Sequence, residues 1–133
     1  MSTFTDSELA YLSGQPLGRI ATAAPDGNLQ VSPVGFRYNP DLDTIDVTGY
    51  GMATSRKYRN VADNGRVAFV VDDLETEKPW RPRCLEIRGS AETVADSPNG
   101  PLIRIHPKRI ISFGIDEPFT GAHSVKTNSR NVN

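Results

Sequence analysis

The amino-acid sequence predicts a mainly β domain, a small antiparallel barrel of about seven strands with two short helices. Short apolar or alternating runs are separated by closely spaced turn signals, and only two segments have a helical pattern. The 133 residues are enough for one domain with a real core but not for two. We place this domain at residues 1–115 and expect residues 116–133 to be a polar, poorly ordered tail.

The first predicted helix lies near the N-terminus. Thr5 and Glu8 have the spacing of a capping box, in which each side chain binds the other residue's backbone amide. A short apolar face follows, and Gly14 ends the helix.

Three strands then form an antiparallel meander over residues 17–23, 29–38 and 44–48. Pro25-Asp26-Gly27-Asn28 separates the first two strands, because proline fixes φ and glycine supplies a positive φ. Asn39-Pro40-Asp41 makes the next turn.

The sequence pattern becomes helical over residues 54–63. Thr54 or Ser55 is the N-cap, and Asn64-Gly65 ends the helix. Four further strands are predicted, at 66–71, 83–94, 102–105 and 109–115.

The strand at 66–71 holds a continuous apolar run, so we expect it to be central and buried on both faces. Gly89 marks a bulge or bend in the strand at 83–94. The last two strands are expected to be separated by His106-Pro107.

Composition argues against several classes of protein. The net charge is −1, whereas nucleic-acid binding needs a strongly basic face. The longest apolar run has five residues, and a membrane helix needs about 20. The N-terminus lacks a signal-peptide pattern, and Cys84 is the only cysteine, which excludes an intramolecular disulfide. We expect a cytoplasmic protein that binds neither nucleic acid nor membrane.

Thr54-Ser55-Arg56-Lys57 is the most informative stretch for chemistry. Cations in the first turn of a helix are disfavoured by the helix dipole, unless an anion binds there. Two cations and free backbone amides suit a phosphate. The alternative interpretation is a solvated basic helix start.

No nucleophile motif, Walker loop or Rossmann fingerprint is present. His106 and His123 are too few and too far apart to suggest a metal site, and we predict none. Cys84 is expected to be an inert packed residue. An enzyme that lacks these groups takes its chemistry from a cofactor.

Trp80 lies between prolines and arginines in Pro79-Trp80-Arg81-Pro82-Arg83, on a predicted loop. It is either a rigid platform for a ring ligand or partner subunit, or a cover for the end of the barrel.

Several segments occur in a characteristic order. In the meander they are Pro16-Leu17-Gly18-Arg19-Ile20-Ala21-Thr22, Pro25-Asp26-Gly27 and Pro33-Val34-Gly35-Phe36. Later in the chain they are Ser55-Arg56-Lys57 with Asn60, Asn64-Gly65-Arg66-Val67-Ala68, Trp80-Arg81-Pro82-Arg83, Glu86-Ile87-Arg88-Gly89 and Ile103-Arg104-Ile105-His106-Pro107. Together, over about residues 8–115, they resemble the pyridoxamine 5′-phosphate oxidase superfamily. The last three resemble its deazaflavin-dependent actinobacterial branch.

The resemblance implies a split β-barrel homodimer with a flavin-type cofactor between subunits. The cofactor would be coenzyme F-420, an 8-hydroxy-5-deazaflavin, or alternatively FMN. Its phosphate would be held by Thr54, Ser55, Arg56 and Lys57. Val34 and Gly35 would lie against the ring, and Thr48 and Gly49 beside the phosphate or ribityl chain. Trp80, Arg83 and Cys84 would also contact the cofactor.

The chain lacks the Trp and Arg-x-His-x-Arg tail that the true pyridoxamine phosphate oxidases use. The resemblance therefore favours F-420-dependent hydride transfer to a small acceptor over vitamin B6 oxidation, with Arg37, Arg81 or Arg83 near the developing negative charge. Two alternatives remain, an FMN-bound reductase or oxidase of the same fold, and a non-catalytic protein that binds a flavin or a tetrapyrrole.

Overall fold

A computed structural model describes residues 2–116 and 125–133 of the chain. The strands are β1 (Gly18–Ala23), β2 (Leu29–Asn39), β3 (Thr44–Thr48), β4 (Arg66–Leu74), β5 (Pro82–Val94), β6 (Leu102–Phe113) and β7 (Asn128–Asn131). The helices are α1 (Asp6–Ser13) and α2 (Arg56–Asn64), with a 3₁₀ turn at Met52–Thr54 directly before α2.

Six antiparallel strands close into a barrel, in the order β1, β2, β3, β6, β5, β4 and back to β1. One edge of β6 is shared, since its residues 103–105 pair with β3 and its residues 109–112 pair with β7. The mainly β barrel with two short α-helices that the sequence predicts is therefore confirmed.

Apolar side chains fill the barrel in the alternating pattern that closed sheets require. Phe69 is 1% exposed and packs edge-to-face on Phe36, with 5.3 Å between ring centroids. A methyl group at Gly18 would overlap the Phe69 ring, so the absence of a side chain there lets the ring fill the core. The other fully buried side chains include Ile20, Ile45, Val47, Val71, Leu85, Ile87, Ile103, Ile105 and Ile110.

Both predicted helices are confirmed. The Thr5–Glu8 capping box is present at the start of α1. The N-cap of α2 is Ser55, and Gly65 ends α2 in the left-handed conformation at φ 67°.

The expectation for residues 116–133 needs correction where they are described. Residues 128–131 form β7, and Arg130 binds both carboxylate oxygens of Glu8, at 2.6 and 3.1 Å. Glu8 is fully buried and also accepts a hydrogen bond from Ser112 at 3.0 Å. The tail is therefore tied to α1 by a buried carboxylate, which sequence spacing does not reveal. The part of the expectation that concerns residues 117–124 lies outside the described residues.

The predicted break at His106-Pro107 is wrong, because β6 runs through it. Proline has no amide to donate, but the pairing with β5 shifts register between Arg88 and Gly89, and Pro107 lies opposite Gly89. A side chain at Gly89 would overlap the backbone oxygen of His106. The irregularity predicted at Gly89 is confirmed, and the unpaired extra residue is Lys108 of β6, which lies between the partners of Arg88 and Gly89.

Within a single chain, the strand predicted at 66–71 is buried on one face only, not on both. Val67, Phe69 and Val71 point into the barrel, whereas Ala68 and Val70 on the outer face are only half-buried. Across the part of the chain that the structure describes, no helix has the length and apolar character needed to cross a membrane.

Candidate functional site

The start of α2 carries two cations without acidic partners. Arg56 is exposed and Lys57 is half-buried, and no acidic group of the described residues lies within ion-pair distance of either. The first amides of a helix have no intrahelical acceptor. Charge and donors therefore converge here, as phosphate binding requires.

The hydroxyl of Ser55 is used by the helix itself. It accepts from the Tyr58 amide at 3.2 Å and donates to the Met52 carbonyl at 2.7 Å. Thr54 lies in the preceding 3₁₀ turn, exposed, and its hydroxyl donates to the Gly51 carbonyl at 3.1 Å. The donors left free at this end of α2 are thus the amides and side chains of Arg56 and Lys57.

Gly35, Thr48 and Gly49 lie together beside this helix start. Gly35 is the register partner of Thr48, where β2 meets the end of β3. A methyl group at Gly49 would be 3.6 Å from the Met52 methyl, and Met52 bonds to Ser55. The predicted site residues on β2, at the end of β3 and at the start of α2 are therefore linked by these contacts, and they are Val34, Gly35, Thr48, Gly49, Thr54, Ser55, Arg56 and Lys57.

The outer face of β2 at Gly35 is open. Exposure alternates along the strand, so that Val34 is buried at 6% and Gly35 is exposed. A side-chain methyl at Gly35 would have no heavy atom within 4 Å. A flat ring can therefore approach the backbone at Gly35, while Val34 packs inside the barrel.

Trp80, Arg83 and Cys84 lie in a different place, along a groove of about 540 Å³ on the outer face of β1, β4 and β5. We call it the Trp80 groove, and its lining includes Arg19, Val70, Asp72, Trp80, Cys84 and Phe113. Within one chain, strands β1 and β4 separate Gly35 on β2 from Cys84 on β5.

Arg83 is fully engaged by neighbouring side chains. It makes two bonds to Asp73, at 2.9 and 2.6 Å, and a third to Glu75 at 3.1 Å. Its guanidinium also lies 5.1 Å from the ring centre of Tyr11, whose hydroxyl donates to Asp73. Arg83 is thus a structural anchor for the end of β4.

Cys84 has the properties of an inert thiol. Burial, helped by the carboxylates of Asp72 and Glu86, raises its pKa to about 11. The thiol is therefore protonated at neutral pH and is a poor nucleophile, as the sequence suggests.

Arg19, Asp72 and Phe113 also line the groove, although nothing in their sequence context predicts a site there. Arg19 binds Asp72 at 2.5 Å, and both side chains are about half exposed. Arg19, Asp72 and Phe113 each occupy an outward-facing position on a strand, which the alternation of buried and exposed residues in the sequence could indicate. Only the order of the strands in the sheet shows that these residues lie together.

Other candidates lie apart. Arg37 is exposed and 4.0 Å from the buried Asp46, whose main partner is Arg104. Arg81 pairs with Glu75 at 2.9 Å. His106 pairs with Glu92 at 2.7 Å on the surface of β5 and β6, and His123 lies outside the described residues.

The sequence profile described as pyridoxamine 5′-phosphate oxidase matches residues 4–111, which include α1, the barrel and the start of α2. The chain belongs to the pyridoxamine 5′-phosphate oxidase family. The matched residues include the two cations, Gly35 and every lining residue of the Trp80 groove except Phe113.

One family relative is a protein of Streptomyces rimosus subsp. rimosus named 5a,11a-dehydrotetracycline/5a,11a-dehydrooxytetracycline reductase. It is 41% identical over 132 residues, and the alignment covers 91% of each chain.

Solved structures share the fold at lower identity. A conserved hypothetical protein from Mycobacterium tuberculosis has a TM-score of 0.68 at 17% identity, covering 92% of this chain and 96% of that one. The FAD binding protein from Mycobacterium smegmatis has a TM-score of 0.63 at 21% identity, covering 84% of this chain and 96% of that one. These similarities support the split-barrel fold.

Proposed function

We propose that this protein is an F-420-dependent reductase that transfers a hydride to a conjugated polycyclic ketone. The observation that carries the proposal is the 41% identity, over 91% of both chains, to a reductase named for dehydrotetracyclines. Arg56 and Lys57, which have no acidic partner among the described residues, and the open face of Gly35 support a phosphate-bearing flavin-type cofactor.

Arg56 and Lys57 would hold the cofactor phosphate. Charge-assisted hydrogen bonds from a guanidinium and an ammonium, added to the first amides of α2, match a dianion in both charge and donor number. Since no described carboxylate pairs with either side chain, binding would not require breaking an existing ion pair.

The open strand surface at Gly35 would support the cofactor ring. Thr48 and Gly49 lie between this surface and the start of α2, so they would border the chain that links ring and phosphate. In this proposal the ring would lie at Gly35, the linking chain at Thr48 and Gly49, and the phosphate at Arg56 and Lys57.

When bound and reduced, F-420 supplies one hydride and is left oxidised. The acceptor class that suits this chemistry is a carbon–carbon double bond conjugated to a ketone, which would gain the hydride at its electron-poor carbon and a proton from water, with negative charge developing on the ketone oxygen. The protein's part is to align the two molecules and to stabilise the charge on that oxygen.

A homodimer is part of the proposal. The outer face of β1, β2 and β4 carries exposed apolar side chains, including Leu29 at 81% and Val31 at 68% exposure. Ala21 and Ala68 extend the same patch. Apolar surface of this kind marks interaction sites in soluble proteins, and a second copy of the chain would cover its apolar part around Leu29, Val31, Ala21 and Ala68, next to the groove that Arg19 and Val70 also line.

F-420 is preferred to FMN because of the deazaflavin-type segments around Trp80 and Ile103–Pro107, and FMN is the alternative. A titration of the purified protein with F-420, FMN, FAD and haem decides between them. Tight binding of F-420 and its enzymatic turnover support the proposal. Retention of FMN favours the flavin enzyme of the same fold, and ligand binding without turnover favours a carrier.

A further inference from the structure

We propose that the Trp80 groove is the acceptor site, with Arg19 as the group that binds the acceptor's oxygen and Trp80 as its stacking surface. The inference rests on the proposed function and locates the binding site of the substrate that the reductase would act on. The class of ligand is a flat, conjugated polycyclic ketone that carries an acidic enol.

The size and lining of the groove suit such a molecule. Its volume is about 540 Å³, and small-molecule sites commonly span roughly 300–1,000 Å³. Trp80 is 57% exposed and Phe113 is half-buried, so both present aromatic surface to the groove. Val70 adds an aliphatic floor. Flat apolar rings would gain contact on these sides.

Arg19 is the cation of the groove that has donors to spare. Among the described residues its one side-chain partner is Asp72, reached through a single guanidinium nitrogen. Guanidinium has five N–H donors. Arg83 also lines the groove, but Asp73 and Glu75 already engage it on three nitrogens. An acceptor oxygen would therefore bind Arg19.

The position of Arg19 connects the groove to the proposed ring surface. Arg19 on β1 is the register partner of Pro33 on β2, two residues before Gly35 and on the same outer face. Diagonal neighbours of this kind lie about 7–8 Å apart in a sheet. An acceptor held at Arg19 would thus lie against a ring placed on Gly35, as hydride transfer requires.

The loop that carries Trp80 is held in place by its own hydrogen bonds. The Glu75 amide donates to the Arg81 carbonyl at 2.9 Å, and the Arg81 amide donates to Thr76 at 3.0 Å. Arg81 and Glu75 also form an ion pair at 2.9 Å. A stacking surface fixed before binding costs less entropy on binding.

The family resemblance implies that Trp80 contacts the cofactor, whereas we propose that it contacts the acceptor. Calorimetry distinguishes these two roles. Tetracycline, a stable probe of the same ring class, and F-420 are titrated separately into wild type and Trp80→Ala. In Trp80→Ala we expect the affinity for tetracycline to fall about tenfold and the affinity for F-420 to stay within about twofold of wild type. Trp80→Phe should keep most of the affinity for tetracycline. A wild type that does not bind tetracycline, or a Trp80→Ala variant that loses F-420 instead, overturns the inference.

Steady-state kinetics with reduced F-420 and 5a,11a-dehydrotetracycline test Arg19. Arg19→Gln should lower kcat about tenfold or more, with partial recovery in Arg19→Lys. The matched control is Arg88→Gln, which removes another half-exposed arginine–carboxylate pair, Arg88–Glu86 at 2.7 Å, from outside the groove. An equal loss in both glutamine variants overturns the role of Arg19.

Failure of the proposed function gives a different pattern. In that case tetracycline still binds with the Trp80 dependence given above, but the wild type does not oxidise reduced F-420 with the dehydrotetracycline. The binding data then support the groove as a site for polycyclic ketones, and the reductase activity is refuted.

Discussion

Replacing Lys57 with alanine should weaken cofactor binding without unfolding the protein. Lys57 lies in the first turn of α2, half-buried, and its charge has no acidic partner among the described residues. Lysine and alanine have similar helix propensities, so the helix should lose at most a few tenths of a kcal/mol. The cation also gains nothing from the dipole at this end of the helix.

The size of the binding loss follows from the interaction removed. A hydrogen bond to a charged group contributes about 1.5–3 kcal/mol, and each ~1.4 kcal/mol is a factor of ten in affinity. The dissociation constant for F-420 should therefore rise roughly 10- to 100-fold. Arg56→Ala should behave similarly, since Arg56 carries the other unpartnered cation of the same turn.

Calorimetric titration with F-420 measures this change, and Arg59→Ala is the matched control. Arg59 is an exposed cation on the same helix, beyond its first two residues, so its removal should change the affinity less than twofold. A fragment of F-420 that lacks the phosphate should bind wild type and Lys57→Ala equally. Unchanged F-420 affinity in Lys57→Ala would refute the phosphate site at α2.

Three further predictions concern the acid stability, the ring surface and the dimer. Burial raises the pKa of Glu8, but hydrogen bonds from Arg130, Thr5 and Ser112 outweigh it and hold the pKa below its usual value. The stabilisation this gives is present above pH ~4.5 and is lost as the pH falls through the lowered folded-state pKa. Glu8→Gln should lower the free energy of unfolding by about 2–4 kcal/mol at pH 7 and should make that free energy less dependent on pH under acid conditions. Urea denaturation at a series of pH values measures both effects, and a pH profile equal to that of wild type would contradict the prediction. Gly35→Val should have a melting temperature equal to or above that of wild type, because the new side chain meets open space. It should nevertheless weaken F-420 binding in the calorimetric titration. Unchanged F-420 affinity would mean that the ring binds elsewhere. In light scattering, wild type should show twice the 14.6 kDa chain mass and Val31→Lys a lower mass, and a wild-type monomer would contradict the dimer.

Local signals were enough to predict most of the barrel. The Thr5–Glu8 capping box, the turn at Pro25-Asp26-Gly27-Asn28 and the stop at Gly65 each have a physical cause within a few residues. The first five strands of the barrel were therefore predicted within a few residues of their observed bounds.

The errors came from contacts between distant segments. The missing amide of Pro107 predicts a break, because it is visible in the sequence, whereas the register shift that accommodates it depends on the pairing of β6 with Gly89, eighteen positions away. The tail looked unanchored, because the Arg130–Glu8 pair joins opposite ends of the chain. Pairings of this kind depend on strand order, which local periodicity does not contain.

The same distinction between local patterns and contacts of distant segments applies to the residues of the candidate site. The start of α2 is predicted from a cap followed by two cations, which is a local pattern, and neither cation has an acidic partner among the described residues. Arg83 was chosen for its position, but Asp73 and Glu75 engage it. Arg19 was not selected, because its place in the Trp80 groove arises from the pairing of β1 with β4.

The most direct test of the central claim is an isotope-transfer measurement. Purified protein is incubated with 5a,11a-dehydrotetracycline and reduced F-420 that carries deuterium at ring carbon C5, and the product is examined by mass spectrometry. The account predicts that the reduced product contains one deuterium from the cofactor and that F-420 is oxidised in equal amount. A product without deuterium, or no oxidation of F-420 under conditions in which it binds, would contradict hydride transfer from F-420 by this protein.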